Sequence, residues 1–88
     1  MKLWLLTQES ATGYDTYDSC VVVADTKELA KDMHPCKYEN RFLSEQKNEN
    51  QPTWYWDWAQ DPADVTAVCL GDALDPTRRV VCSSFNAG

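Results

Sequence analysis

Residues 19–24 read Ser-Cys-Val-Val-Val-Ala, and no other stretch of the 88-residue chain constrains the fold as tightly. β-Branched side chains are stiff at χ1 and fit a pleated strand. Apolar residues at consecutive positions require cover above and below the strand, so this run belongs in the middle of a sheet. The remaining elements must flank it or cover it. Residues 3–7 give a first strand, ending in the polar loop 8–18 with Gly13 as its most flexible point. Residues 65–70 give a third strand, stopped by Gly71, and residues 79–85 a fourth.

Between the second and third strands, Asp25-Thr26-Lys27-Glu28 has the form of a capping box, with Asp25 as cap and Glu28 at N3. Leu29, Ala30 and Met33 follow as a narrow apolar stripe, and Pro35 disfavours helical geometry at His34, so a short helix ends about there. Asp61-Pro62-Ala63-Asp64 starts a single helical turn, with Asp61 as cap and Pro62 at N1. Asp75-Pro76-Thr77-Arg78 has the signature of a type I turn. Residues 44–52 include no apolar side chain, so the polar segment 39–53 is expected to be a mobile loop, with Tyr38, Phe42 and Leu43 pinning its first half. The expected fold is a single α+β domain over 1–88, two layers deep. It has a mainly antiparallel sheet of about four strands and one short helix, in the order ββαββ.

This fold leaves an imbalance. Strands two and four carry apolar residues on both faces, whereas a helix with three apolar positions covers one. The segment Trp54-Tyr55-Trp56-Asp57-Trp58, folding back, is one cover for the other face, and a second copy of the chain is the alternative. As a strand this segment puts Trp54, Trp56 and Trp58 on one side. Two readings stand for them: core, since exposed tryptophans invite aggregation, or an interface hot spot or aromatic ligand platform.

Fourteen acids against eight bases give a net charge of −6. That excludes a general nucleic-acid binder, whose affinity comes from Lys and Arg displacing counterions, and a polybasic membrane-surface protein. The excess is regional. Residues 48–77 hold six acids, Glu49, Asp57, Asp61, Asp64, Asp72 and Asp75, and no Lys or Arg. Acids favour caps and turns for local reasons; they also make a surface that docks onto a basic partner. The candidate interaction surface is therefore Trp54, Trp56, Trp58, Asp57, Asp61, Asp64, Asp72 and Asp75.

The loop 13–19 offers a second candidate, in which Tyr14, Asp15, Tyr17 and Asp18 present rings and acceptors to a ligand or protein. Its plainer reading has Asp15, Asp18 and Ser19 making local turn bonds while the tyrosines pack on the sheet edge. His34-Pro35-Cys36 is the one place where a His adjoins a Cys, and it lacks both the paired clips of a zinc site and a third group to orient a nucleophile. Cys20, Cys69 and Cys82 fall in strands, where a free Cys acts as a small buried apolar residue. No metal, cofactor or catalytic residue is expected.

The N-terminus has four consecutive apolar residues, against the roughly 7 to 15 of a signal peptide. The longest other apolar run, 20–24, is far short of the roughly 18 to 20 needed to span a bilayer. The whole chain is thus expected to be the mature chain, cytosolic with reduced thiols. In Lys2-Leu3-Trp4-Leu5-Leu6-Thr7-Gln8, in Gly13-Tyr14-Asp15-Thr16-Tyr17-Asp18-Ser19 with Val21-Val22 behind it, and in Ser84-Phe85-Asn86-Ala87-Gly88, the chain resembles small bacteriophage- and prophage-encoded proteins. The resemblance implies an accessory protein of the bacterial cytoplasm, a class that often binds host proteins, including defence systems; it supplies no catalytic signature. The resulting expectation is a non-enzymatic binder of a host protein, without nucleic-acid or membrane partners. A small-ligand or nucleotide binder with a pocket of Tyr14, Tyr17 and the tryptophans is the alternative.

Overall fold

The computed structural model describes residues 1–13, 15–36, 42–44, 57–59, 61–74 and 77–86. β1 (Lys2–Gln8), β2 (Thr16–Ala24), β3 (Val65–Asp72) and β4 (Arg79–Asn86) form one antiparallel sheet in the spatial order β3-β1-β2-β4. Helix α1 (Lys27–Lys31) and a one-turn 3-10 helix (Pro62–Asp64) come between β2 and β3 in the chain. This is the small α+β domain expected, and the 19–24 run lies in an inner strand.

Strand alternation sorts the sheet into two faces. Trp4 pairs with Val22 and Leu6 with Cys20 across β1 and β2. On the flanks Leu6 pairs with Ala67, Gln8 with Val65 and Val22 with Val80. The apolar members of these pairs make the core with Ala30 of α1 and with Met33, Leu43, Trp58 and Ala59. The Trp4 indole N–H donates to the Ala24 carbonyl at 3.1 Å, so the ring is buried without losing its hydrogen bond. The opposite face carries Leu3, Leu5, Val21, Val23 and Val68; the first three are half-buried and Val68 is 51% exposed.

Several local expectations change. Thr26 caps α1, with extended backbone and its hydroxyl accepting from the Leu29 amide at 3.2 Å, while Asp25 is left exposed. Both residues make good caps, so the choice falls to whichever side chain the exit from β2 aims at the first turn. The helix stops at Lys31 with Asp32 as C-cap, before Met33 and His34. Leu29 is consequently 41% exposed rather than part of a buried stripe. Gly71 does not stop β3: it lies inside the strand at φ 135°, just beyond a bulge opposite Leu3 and Trp4. Cys69 and Cys82 are exposed because β3 and β4 are the sheet's edges; of the three strand cysteines only Cys20 has the buried character expected, and Cys36, outside the strands, is buried as well.

Of the segment 39–53 only 42–44 is described. Leu43 is buried and Phe42 packs against the core. Asp32 fastens this piece: its carbonyl accepts from the Leu43 amide at 2.7 Å, and its carboxylate accepts from the Ser44 amide and hydroxyl, both at 2.8 Å. Arg78 lies over the Phe42 ring, 4.5 Å from its centroid, and donates to the Leu29 carbonyl. The mobility expected of 39–53, and the turn at Asp75 and Pro76, lie outside the described residues.

Thr26→Ala should lower stability by about 1 kcal/mol, and Asp25→Ala should change it by less than about 0.5 kcal/mol. Urea midpoints of the two variants, compared with the parent, check which residue is the cap.

Candidate functional site

The chain's one histidine is the first place to look for chemistry. His34 follows the C-cap of α1 and is 1% exposed. Its Nδ1 accepts the Cys36 backbone amide at 3.1 Å. An imidazole nitrogen that accepts carries no proton, so Nε2 carries it and donates to Asp57 Oδ1 at 2.8 Å. The Tyr17 ring meets the imidazole edge-on at 5.6 Å and Phe85 at 4.8 Å. Asp57 holds a second contact, its carbonyl accepting from the Tyr17 amide at 2.8 Å.

This cluster supplies the orienting carboxylate that the sequence did not offer to His34, but it spends both ring nitrogens on protein groups. No lone pair of the ring faces a substrate. Its effect is to fasten the start of β2, the segment after α1 and residues 57–59 to one another. A usable signal was present: an isolated acid inside a tryptophan-rich run needs a partner, and a lone His near a helix exit can provide one.

The candidate residues divide accordingly. Trp58 is 1% exposed in the core, so it takes the core reading and leaves the interaction surface; its indole N–H has no hydrogen-bond partner among the described residues. Asp57, 26% exposed, is turned to His34. Tyr17 is half-buried, in edge contacts with the His34 and Phe85 rings. Asp15, at φ 60°, and Asp18 are exposed. The loop between β1 and β2 is held instead by Gln8, which donates to the Ala11 and Tyr17 carbonyls and accepts from the Ala11 amide, and by Thr16 donating to Gly13. Trp54, Trp56, Tyr14 and Asp75 lie outside the described residues.

Asp61, Asp64 and Asp72 remain, all exposed, and the fold sets them around β3. Asp61 caps the 3-10 turn, accepting from the Ala63 amide at 2.9 Å, as its position before Pro62 predicts. Asp64 joins Thr7, Gln8, Glu9, Ser10 and Thr66 around an open hollow of about 510 Å³. At the other end of β3, Asp72 lines a hollow of about 370 Å³ with Leu3, Val23, Ala73, Leu74, Arg79 and Val81. Between these ends β3 is a terminal strand exposing Val68, Cys69 and Leu70. Among the described residues no group of three or more His, Cys, Asp or Glu is placed to hold a metal ion, and no helix is long and apolar enough to cross a membrane.

The thiols differ sharply. Burial, with the neighbouring Cys82 as a smaller cause, pushes Cys20 from 9.0 up to about 12. Comparison of the chain with protein-family models, with curated proteins and with solved structures finds no match.

Native alkylation should reach Cys69 and Cys82 and spare Cys20 and Cys36 until the chain unfolds, which mass spectrometry of iodoacetamide-treated protein reads directly. Because the folded state raises the Cys20 value, the stability tied to that thiol is complete below pH about 9. It is lost as pH rises toward about 12. Cys20→Ala should therefore flatten the alkaline fall in stability seen in urea titrations. Asp57→Ala strands the buried Nε2–H of His34 and should cost about 1–3 kcal/mol; Asp57→Asn keeps an acceptor and should cost less.

Proposed function

We propose that this chain is a non-enzymatic accessory protein of phage type that binds a protein of the bacterial host through an acidic strand edge. The observation that supports the reading is the setting of β3. Its outer edge carries no strand of this sheet among the described residues, and its two ends bear exposed Asp61, Asp64 and Asp72 within a stretch devoid of Lys and Arg. An exposed strand edge offers main-chain donors and acceptors to an extended segment, and flanking charge selects which segment approaches. Carboxylates at both ends favour a partner with Lys or Arg on either side of the docking strand and repel the acidic edge of another copy. The proposal rests on Asp61, Asp64 and Asp72; of the three tryptophans of the 54–58 run only Trp58 is described, and it lies in the core.

The resemblance to phage-encoded proteins gives the setting, a bacterial cytoplasm, and the class of action, inhibition of a host factor or counter-defence. Among the described residues the two hollows are lined by neither Tyr nor Trp, and Tyr14, Trp54 and Trp56 of the ligand-binding alternative lie outside those residues.

Affinity capture from bacterial lysate tests the edge. Asn is as good a cap as Asp, so Asp61→Asn with Asp64→Asn removes two charges and keeps the 3-10 turn. The parent chain should retain a stoichiometric partner that salt weakens, and the double variant should lose most of it. Equal retention by both at high and low salt would remove the acidic edge from the mechanism.

A further inference from the structure

Five consecutive residues of β3, from Val68 to Asp72, are exposed, so the strand is open on its faces as well as along its outer edge. Its two ends differ. In the ladder with β1, Gly71 pairs with Leu3 and Thr66 with Thr7. Leu3 and Thr7 are four residues apart, so both levels belong to one face of the sheet, the one away from α1. At the Gly71 level this face has a gap, because a side chain built there would meet no atom within 4 Å. Val68, Leu70 and Leu74, each more than half exposed, flank that gap in the chain. Leu3, Ala73 and Leu74 line the hollow of about 370 Å³ at the same end. A glycine within a strand often marks a place where another backbone comes close, and a bulky side chain from a neighbouring strand covers such a bare position.

The Thr66 level is polar. Its hollow of about 510 Å³ brings Glu9 and Asp64 together with Thr7, Ser10 and Thr66. Neither Glu9 nor Asp64 forms an ion pair among the described residues, and Lys27 and Lys31 belong to α1 on the other face. Asp72, by contrast, stands level with Lys2 of β1, which offsets its charge. The strand therefore bears its unpaired negative charge where it begins and its apolar gap where it ends.

We infer that the host segment captured by this edge is extended and carries a bulky apolar residue followed, four positions toward its C-terminus, by Lys or Arg, a pattern that rests on the host-binding reading and names what the edge selects. All neighbours in this sheet are antiparallel. A segment antiparallel to β3 runs in the direction of β1 and spans the bulge as β1 does. It reaches the Gly71 level first and the Thr66 level four residues later, as Leu3 and Thr7 do. The apolar side chain then crosses Gly71 toward Leu3 and Leu74. The cation, about 13 Å further along, meets Glu9 and Asp64. Alternation keeps both side chains on one face, and a spacing of three would turn the cation to the other. Main-chain pairing gives affinity that any strand shares, so the two anchors give the choice of partner.

Fluorescence anisotropy of labelled peptides, titrated with the full chain to about 1 mM, is the test. Thr-Phe-Thr-Val-Thr-Lys-Thr should bind. Replacing its Phe with Ser, or moving its Lys one position toward the Phe, should weaken binding roughly tenfold, and replacing Lys with Glu should weaken it at least as much. Leu74→Ser, at a fully exposed position, should leave melting unchanged and remove most of the advantage of the Phe peptide over the Ser peptide. Binding that needs Lys but is indifferent to the Phe, to the spacing or to Leu74→Ser overturns the two-anchor pattern and leaves the acidic edge standing. Equal binding of the Lys and Glu peptides, or binding of none, removes the edge as a recognition surface and the pattern with it.

Discussion

A five-residue helix is about 7.5 Å long, whereas four strands spaced about 4.8 Å apart make a sheet about 14 Å across. The helix cannot roof such a sheet. Everything else in the second layer follows from that shortfall: Met33, Leu43, Trp58 and Ala59 complete the core from irregular chain. Irregular backbone brings unpaired amides and carbonyls into the interior, and each needs a partner that a helix would have provided internally. The polar fastenings supply them. Asp32 ties down residues 43 and 44, His34 takes the Cys36 amide and reaches Asp57, and Asp57 takes the Tyr17 amide. The buried histidine is thus a consequence of too little helix.

The same view separates what could be read from the sequence from what could not. β-Branched runs located the strands because strand preference and cover on both faces are local signals, and 19–24 proved to lie in an inner strand. The Asp61–Pro62 start was equally legible, since cap and proline act within one turn. The pairing of His34 with Asp57 was not, because 23 residues separate them and only the finished second layer brings them together. The exposure of Cys69 and Cys82 depends on which strands occupy the edges, and nothing within a strand reports its place in the order. Gly71 reads as a breaker by propensity, but tertiary pairing carried β3 past it through a bulge. As for the acidic site, the sequence showed that the charge is regional, and only the fold could show that Asp61, Asp64 and Asp72 bracket one strand.

Both edge strands are interrupted. β3 carries its irregularity opposite Leu3 and Trp4, and β4 carries one opposite Val21 and Val22, while the other irregularity of the β2–β4 ladder has its extra residue, Asp18, in β2. A bulge breaks the regular ladder and increases local twist, which makes an edge a poorer template for indiscriminate pairing. Asp61, Asp64 and Asp72 at the two ends of β3 add charge that opposes pairing with another acidic edge.

The strand order has a kinetic consequence. β1 and β2 are joined by a short loop and can pair as soon as both exist, but each of their outer edges waits for a strand from the last third of the chain. β3 and β4 lie on opposite flanks, so the connection between them must pass around the end of the hairpin, where the Ala73 amide donates to the Met1 carbonyl. Such long-range pairings close late and slowly. During synthesis the apolar hairpin must therefore persist with both flanks bare until the C-terminal strands arrive, and in that interval the nascent chain is most open to capture by other β-structure.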